Sequence, residues 1–156
     1  EMLRSLVGSE MCIRDSRELG TAFVAFSPVG RGFLCGAVTD AAQLDAKDIR
    51  VAMPRFQPDN LARNLAWLPA YRALAEEAGC SPAQLALAWL LHKAPHIIPI
   101  PGTTRVDHLQ DDLGAAQVQL SPAVLERVEA LVNTGTVAGH RYAAQARTEV
   151  DTEEVA

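Results

Sequence analysis

Two short apolar runs in this chain each stop abruptly at small, turn-forming residues. Residues 21–26 (Thr-Ala-Phe-Val-Ala-Phe) lead into residues 27–32 (Ser-Pro-Val-Gly-Arg-Gly), and residues 96–100 lead into residues 101–105 (Pro-Gly-Thr-Thr-Arg). Continuously apolar runs are typical of parallel strands that are buried on both faces. The carboxyl ends of such strands commonly hold anions, phosphates above all. The pair therefore predicts an α/β fold with a nucleotide-binding surface.

Helical signals follow each run. Between the two runs, leucines at helical spacing from Leu61 predict a helix that Gly79 ends, with a kink or a fresh start at Pro69. Ser81, Pro82 and Gln84 predict the capping box of a second, buried helix that reaches His92. Two further helices are expected. One begins after Arg105 and ends at about residue 115, and the other begins at residue 121. Strand, turn and helix thus occur twice, as in an α/β barrel or a doubly wound sheet. Residues 27–60 predict a long loop.

Composition narrows the possible partners. The 156 residues suffice for one domain with a core, and a net charge of −5 argues against nucleic acid or an anionic membrane as the main partner. No apolar stretch is long enough for a membrane span. The three widely spaced cysteines are expected to be reduced thiols, which favours a cytoplasmic location and implies neither a disulfide framework nor a metal site.

The two ends of the chain differ from its middle. Residues 1–16 show no clear helical or strand period, and they look like translated read-through of a sequencing adapter, so we expect a foreign or disordered segment there. Residues 136–156 are small, polar and acidic, and they predict a loosely held tail. The folded part is expected to be residues 17–135.

Several motifs in this middle part resemble one family. In order along the chain they are Phe-Ser-Pro-Val-Gly-Arg-Gly-Phe-Leu (26–34), Pro-Arg-Phe (54–56), Ala-Gln-Leu-Ala-Leu-Ala-Trp-Leu-Leu (83–91), Ile-Pro-Ile-Pro-Gly-Thr-Thr-Arg (98–105) and Leu-Gln-Asp-Asp-Leu (109–113). From about Arg17 the chain resembles the C-terminal part of an aldo/keto reductase. That family forms (β/α)₈ TIM barrels that use NADPH to reduce carbonyl groups. The resemblance implies that the last two strands and their helices are present and the first six strands are missing. A length below the roughly 250 residues of a barrel agrees.

The resemblance also implies a role for each strand end. Phe26 would stack on the nicotinamide ring of the cofactor. The turn after it would wrap the pyrophosphate through Ser27, Pro28, Val29 and Gly32. The segment after the second run would hold the adenosine 2′-phosphate through Gly102, Thr103, Thr104 and Arg105. Two hydroxyls, a helix N-terminus and a guanidinium suit a dianion, so NADP is favoured over NAD.

Three further residues on the next helix correspond to the adenine end of the cofactor site. His108 stands where the family often has an arginine near the phosphate or the adenine. Asp111 and Asp112 stand where the family has a Glu-Asn pair that holds the adenine amino group. Asp112 lacks the amide donor of that asparagine, so this contact is in doubt. Without the resemblance, the Ser27–Gly32 segment would more often be an ordinary turn, and the Gly102–Arg105 segment has the alternative of a capped helix start with a solvated arginine.

No catalytic residue is expected within the chain, because the family's Asp, Tyr, Lys and His come from the first four strands. The complete parent would reduce aldehydes or ketones with NADPH, and this chain alone would be inactive. Two alternatives stay open. Residues 74–85 also resemble a helix-turn-helix of a DNA-binding protein, although the second helix offers Leu, Ala and Trp where polar base-reading residues are needed. The other is a noncatalytic nucleotide-binding module.

Overall fold

Two strands of four residues each lie side by side and in parallel in this structure, a computed structural model that describes residues 9–147. Phe23 lies opposite Ile97 and Phe26 opposite Ile100. Both strands coincide with the predicted apolar runs. The helices are α1 (Ser9–Leu19), α2 (Pro58–Glu77), α3 (Pro82–Lys93), α4 (Val106–Gly114), α5 (Pro122–Leu131) and α6 (Ala144–Arg147), and the strands are β1 (Phe23–Phe26) and β2 (Ile97–Ile100).

The crossover between β1 and β2 carries most of the core. Parallel neighbours require such a connection, and here α2 and α3 supply it. Apolar side chains of α2, α3 and α5 pack together with residues from the loop after β1. Their buried members include Phe33, Phe56, Leu61, Leu68, Tyr71, Leu74, Leu85, Val124 and Val128. A second, smaller cluster consists of Ala25, Ala94 and Ile97 and joins the sheet to α3.

The long loop between β1 and α2 is packed rather than open. It contains 3₁₀ turns at Gly30–Gly32, Ala41–Gln43, Ile49–Ala52 and Pro54–Phe56. The carboxylates of Asp40 and Asp48 cap two of these turns by accepting hydrogen bonds from the N–H groups of Ala42 and Arg50, each at 2.9 Å. Short capped turns of this kind hold a connection in place without a regular element.

The predicted start of α3 is confirmed in detail. Ser81 Oγ accepts a hydrogen bond from the N–H of Gln84 at 3.0 Å, and Gln84 Oε1 accepts one from the N–H of Ser81 at 3.1 Å. This reciprocal pair is the predicted capping box. Gly79 has φ +67°, as expected of a glycine that ends a helix.

Two expectations about helices need correction. Residues 1–16 were expected to be a foreign or disordered segment, yet α1 begins at Ser9 and continues to Leu19, with Gly20 at φ +67° after it. Residues 1–8 of that segment lie outside the described residues. The helix is fixed by tertiary contacts, since Ile13 packs against the smaller cluster and its carbonyl lies 3.0 Å from His96 Nε2. Of the two alternatives predicted at Pro69, the fresh start is wrong, because α2 is one helix with Pro69 inside it, and the kink stays a prediction.

Residues 133–142, called the strap below, differ from the predicted loose tail. Asn133 Oδ1 accepts a hydrogen bond from the N–H of Gly135 at 2.9 Å, which starts a compact turn. Ala138 is only 1% exposed, and both of its backbone polar groups bond to Asn64 on α2. Arg55 Nε donates to the carbonyl of Gly139 at 3.0 Å. The strap therefore packs on the core, and residues 148–156 of the predicted tail lie outside the described residues.

None of the helices within residues 9–147 combines the length and the apolarity needed to cross a bilayer.

Candidate functional site

The parallel register brings the two predicted segments to the same edge of the sheet. Phe26 and Ile100 are paired end residues, so Ser27 and Pro101 leave the sheet side by side. Phe26 is 47% exposed and Ile100 is 49% exposed, and both follow a more buried residue in their strands. The edge thus presents two turns, each with open backbone and side-chain groups, next to an accessible aromatic ring.

The turn after β1 is wound by residues in the left-handed region of backbone conformation. Ser27 and Arg31 have φ of +51° and +56°, and Gly30 and Gly32 have φ of +61° and +86°. Non-glycine residues rarely adopt such angles, and they concentrate at binding sites, where the surrounding structure stabilises them. The N–H of Gly30 donates to the carbonyl of Ser27 at 3.0 Å, which closes the turn directly after the strand. Pro28 and Val29 lie within it, half-buried.

Gly32 lies close to neighbouring protein groups. A Cβ at this position would be 3.3 Å from Ala37 Cβ and 3.6 Å from Arg50 Nη1. The guanidinium of Arg50 also donates to the carbonyl of Arg31 at 3.0 Å. Arg50 is itself held by Asp48 at 2.6 Å. The turn is therefore supported from the side of the long loop.

The segment after β2 is exposed from Gly102 to Asp107. Thr103 Oγ1 accepts a hydrogen bond from the N–H of Arg105 at 3.1 Å, so this hydroxyl forms the turn that precedes α4. Arg105 occupies the N-cap position of α4, and its own side chain does not cap the helix. The N-terminal amides of the helix and the guanidinium of Arg105 therefore lie together, and this combination attracts anions.

Arg105 has an acidic partner that the sequence analysis did not assign. Its Nε donates to Asp107 Oδ1 at 3.0 Å and its Nη2 to Asp107 Oδ2 at 2.5 Å. The guanidinium holds the pKa of Asp107 down at about 2, and the N–H of His108 contributes to the same lowering. The Asp107 carboxylate thus contacts both a cation and a first-turn amide of α4. An Arg and an acid two residues apart at a helix start is the sequence signal that could have indicated this pair.

The three predicted adenine-end residues lie on α4 in different surroundings. His108 is exposed, whereas Asp111 and Asp112 are half-buried. Asp111 Oδ2 accepts a hydrogen bond from Ser81 Oγ at 2.7 Å, and its carbonyl accepts one from Gln84 Nε2 at 3.0 Å. Asp111 therefore ties α4 to the start of α3. Burial raises the pKa of Asp112 and the charge of Asp111 adds to this, which marks the pair as two carboxylates close together.

A pocket of about 130 Å³ opens beside Phe26, and the strap forms one of its walls. Arg141 Cζ lies 5.3 Å from the centre of the Phe26 ring, and Arg31 Cζ lies 5.7 Å from that of Tyr142. Sequence reasoning assigned no role to residues 140–142, although an arginine and an aromatic residue together could have suggested such contacts. The pocket is lined by Phe26, Ser27, Gly30, Arg31, Phe33, Leu34, Arg55, Phe56, Asn64, Trp67, Val132, Val137 and Arg141.

Comparison with known proteins identifies the family of this chain. The model of the aldo/keto reductase family matches residues 2–133. The chain belongs to the aldo/keto reductase family. The match begins ahead of Arg17 and includes most of the segment that the sequence analysis set apart, so the foreign origin of residues 1–16 stays a prediction.

Individual relatives agree with this family. The chain is 36% identical over 130 residues to "Aldo-keto reductase yakc [NADP(+)]" of Schizosaccharomyces pombe (strain 972 / ATCC 24843). That alignment covers 83% of this chain and 38% of the relative. Two solved structures share the fold. The glycerol dehydrogenase of Gluconobacter oxydans has a TM-score of 0.63 at 24% identity, covering 74% of this chain and 35% of that one. A thermostable enzyme in complex with the inhibitor epalrestat has a TM-score of 0.50 at 23% identity, covering 79% and 34%. The aldo/keto reductase chain thus spans under two fifths of the length of these relatives.

Proposed function

We propose that residues 17–135 are the C-terminal part of an NADP-dependent aldo/keto reductase that reduces aldehydes or ketones to alcohols. In this proposal β1 and β2 are the last two strands of a (β/α)₈ barrel, and the edge at Phe26 and Ile100 lies on the cofactor face. The observation that carries the proposal is the parallel register, which sets the Ser27–Gly32 turn beside the Gly102–Arg105 segment. Family membership and the NADP(+) relative support it.

The residues at this edge fit the cofactor that the proposal requires. Bound NADPH would supply the hydride for the carbonyl carbon. Phe26 offers an exposed aromatic face for the nicotinamide. The left-handed turn would offer its backbone to the pyrophosphate, and Ser27 would add a hydroxyl. Thr103, Thr104 and Arg105 supply donors and a positive charge for the 2′-phosphate. His108, Asp111 and Asp112 remain proposed contacts of the adenine end.

Four of the chain's acid–base candidates have structural contacts, which supports the proposal that the fragment is inactive. Tyr71 is 1% exposed, its hydroxyl donates to the carbonyl of Pro82 at 3.0 Å, and burial raises its pKa far above the usual value. Lys93 pairs with Glu129 at 2.5 Å. His92 Nδ1 and His96 Nε2 lie 2.8 Å and 3.0 Å from backbone carbonyls. The proton donor of the reaction would therefore come from the parent's earlier strands.

The two alternative functions are less well supported. The second helix of a helix-turn-helix must project into a groove, whereas residues 85–88 of α3 are buried in the core. A noncatalytic nucleotide module would have to be stable alone, yet the strands expose large apolar side chains. Val24 and Ile98 are each 51% exposed, next to Phe26 and Ile100. Such a surface drives association in water. The free thiols Cys12, Cys35 and Cys80 accord with the proposed cytoplasmic location.

The test of cofactor binding uses the full-length reductase that contains these residues. Replacing Thr103, Thr104 and Arg105 together by alanine removes the phosphate donors. We expect NADPH affinity to fall by about 30- to 150-fold, equivalent to about 2–3 kcal/mol for a charge-assisted contact, with NADH affinity unchanged. Arg63→Ala, which removes an exposed cation from α2, is the control. Unchanged NADPH binding in the triple variant would overturn the cofactor assignment.

Two further experiments test the fragment itself. The purified chain of 156 residues, given NADPH and a test aldehyde, is expected to show no loss of NADPH absorbance above background. Turnover would contradict the proposed absence of catalytic groups. The DNA upstream of the codon for Arg17 in the source organism is expected to continue in frame into the missing strands. An intact natural frame encoding residues 1–16 would contradict their foreign origin.

A further inference from the structure

The ion pair between Arg105 and Asp107 involves the same donors that a phosphate would use. Arginine binds phosphate best through two parallel N–H groups. In this chain Nε and Nη2 of Arg105 both donate to the carboxylate of Asp107, at 3.0 Å and 2.5 Å. The first turn of α4 offers further amide donors, and the N–H of His108 already acts on Asp107. Asp107 thus resembles a bound anion at the site proposed for the 2′-phosphate.

Acidic side chains outnumber basic ones along α4. Besides Asp107, α4 carries Asp111 and Asp112, and Asp111 is engaged with Ser81. Thr103 Oγ1 is engaged with the backbone of Arg105. The side chains of Arg105 and Asp107 are 64% and 60% exposed, so a ligand can reach them and solvent screens their charges. A dianion that binds here must share or displace Asp107.

We propose that Asp107 is a specificity-determining residue that competes with the cofactor 2′-phosphate for Arg105 and thereby limits the preference for NADPH over NADH. This inference rests on the proposed function. Its physical basis is the repulsion between a carboxylate and a phosphate that lie on one guanidinium. NADH has a hydroxyl in place of the phosphate and does not meet this repulsion, so Asp107 acts on one cofactor alone.

The decisive variant is Asp107→Asn in the full-length reductase. Asparagine keeps the shape and one oxygen that can accept from Arg105, and it removes the negative charge. We expect the NADPH dissociation constant to fall roughly three- to ten-fold at low salt and the NADH constant to stay the same, because the effect is that of one exposed charge a few ångströms from a dianion. The gain should shrink as salt concentration rises. Fluorescence titration of bound NADPH and NADH measures all four constants.

Two controls separate the possible outcomes. Asp59→Asn removes the same charge from the first turn of α2 and is expected to leave both constants unchanged. Arg105→Ala is expected to weaken NADPH binding alone. If Arg105→Ala has that effect and Asp107→Asn leaves NADPH binding unchanged or weaker, Asp107 orients the arginine or is inert, and the inference is overturned. If Arg105→Ala changes neither cofactor, the proposed phosphate site itself fails.

Two smaller nucleotides test the 2′ position directly. Adenosine 2′,5′-bisphosphate carries the 2′-phosphate, and adenosine 5′-monophosphate lacks it. NADH, whose own affinity is expected to be the same in the wild-type and Asp107→Asn proteins, is the ligand to displace. Its displacement should need less of the bisphosphate in the variant and equal amounts of the monophosphate. An equal gain for both nucleotides would show a general change in charge and would contradict competition at the 2′ position.

Discussion

Asn64 and Ala138 bond to each other through both backbone groups of the alanine. Asn64 Nδ2 donates to the carbonyl of Ala138 at 3.0 Å, and the N–H of Ala138 donates to Asn64 Oδ1 at 2.8 Å. Both residues are buried, and 74 positions of sequence separate them. A single amide side chain thus anchors the strap to α2. The strap in turn places Arg141 over the ring of Phe26.

We predict that Asn64→Ala is strongly destabilising. The change leaves a buried N–H and a buried carbonyl of Ala138 without partners, which costs about 2–4 kcal/mol for the two groups. Urea denaturation monitored by circular dichroism measures the loss as a lower midpoint. Asn60→Ala, which removes one bond from a half-buried side chain to the carbonyl of Pro54, should cost about 1 kcal/mol. Equal losses in the two variants would contradict the proposed role of Asn64 as an anchor.

The glycine next to Ala138 gives a second test of the strap. Gly139 has φ +83°, and a Cβ there would lie 3.0 Å from the backbone carbon of Pro54 and the backbone nitrogen of Arg55. Gly139→Ala therefore adds steric overlap to backbone strain, and we expect a loss of about 2–4 kcal/mol. Gly79→Ala is the matched control, since φ is +67° and nothing lies within 4 Å of the new Cβ. The control should lose about 1 kcal/mol, from backbone strain alone. Similar melting temperatures for the two variants would show that the strap moves enough to accommodate the added Cβ at little cost in stability.

Local signals in the sequence predicted the elements that depend on neighbours along the chain. The apolar runs predicted β1 and β2, and the Ser81–Gln84 spacing predicted the capping box of α3. In each of these cases the interacting groups are at most a few residues apart. The turns after both strands were marked by the same kind of local signal, and the roles of their residues in cofactor binding stay a prediction.

Long-range contacts explain what the sequence did not predict. The strap depends on Asn64, far away along the chain, and α1 depends on contacts of Ile13 near β2. Pro69 lies on the exposed side of α2, while its neighbours Leu68 and Tyr71 are buried. Packing of those neighbours outweighs the one backbone hydrogen bond that proline removes, so the helix continues. Effects of this kind can be predicted only when the tertiary structure is known.

Ser81 is predicted to contribute more to the free energy of unfolding than an ordinary N-cap residue. Its hydroxyl accepts from the N–H of Gln84 and donates to Asp111 on α4 at 2.7 Å. Ser81→Ala should therefore cost about 2–3 kcal/mol, the sum of a lost cap and a lost bond to a charged group. Ser121→Ala removes only a cap, with the N–H of Val124 at 3.3 Å, and should cost about 1 kcal/mol.

A double-mutant cycle isolates the contact between α3 and α4. Urea midpoints of Ser81→Ala, Asp111→Asn and the double variant give the coupling between the two side chains. We expect a coupling of about 1 kcal/mol, as for a bond in which one partner is charged and half-buried. Strictly additive losses would mean that the two side chains stabilise the chain independently.

Cys35 is predicted to react slowly with alkylating reagents, and carboxylates of α4 contribute to this. Burial of the thiol raises the pKa of Cys35 above its usual value, and the charges of Asp112 and Asp111 raise it further. The thiolate is the reactive form, so at a given pH a higher pKa means a lower rate, and the rate rises with pH only at more alkaline values. In a chain with Cys12→Ser and Cys80→Ser, the pH midpoint of iodoacetamide alkylation should exceed that of the same chain in urea. Adding Asp112→Asn should speed the reaction roughly two- to five-fold at pH 8. The control is Asp107→Asn, which should leave the rate unchanged because the Asp107 carboxylate is not among the groups that raise the pKa of Cys35. An equal acceleration by both variants would show that net charge, rather than the position of Asp112, controls the reactivity of the thiol.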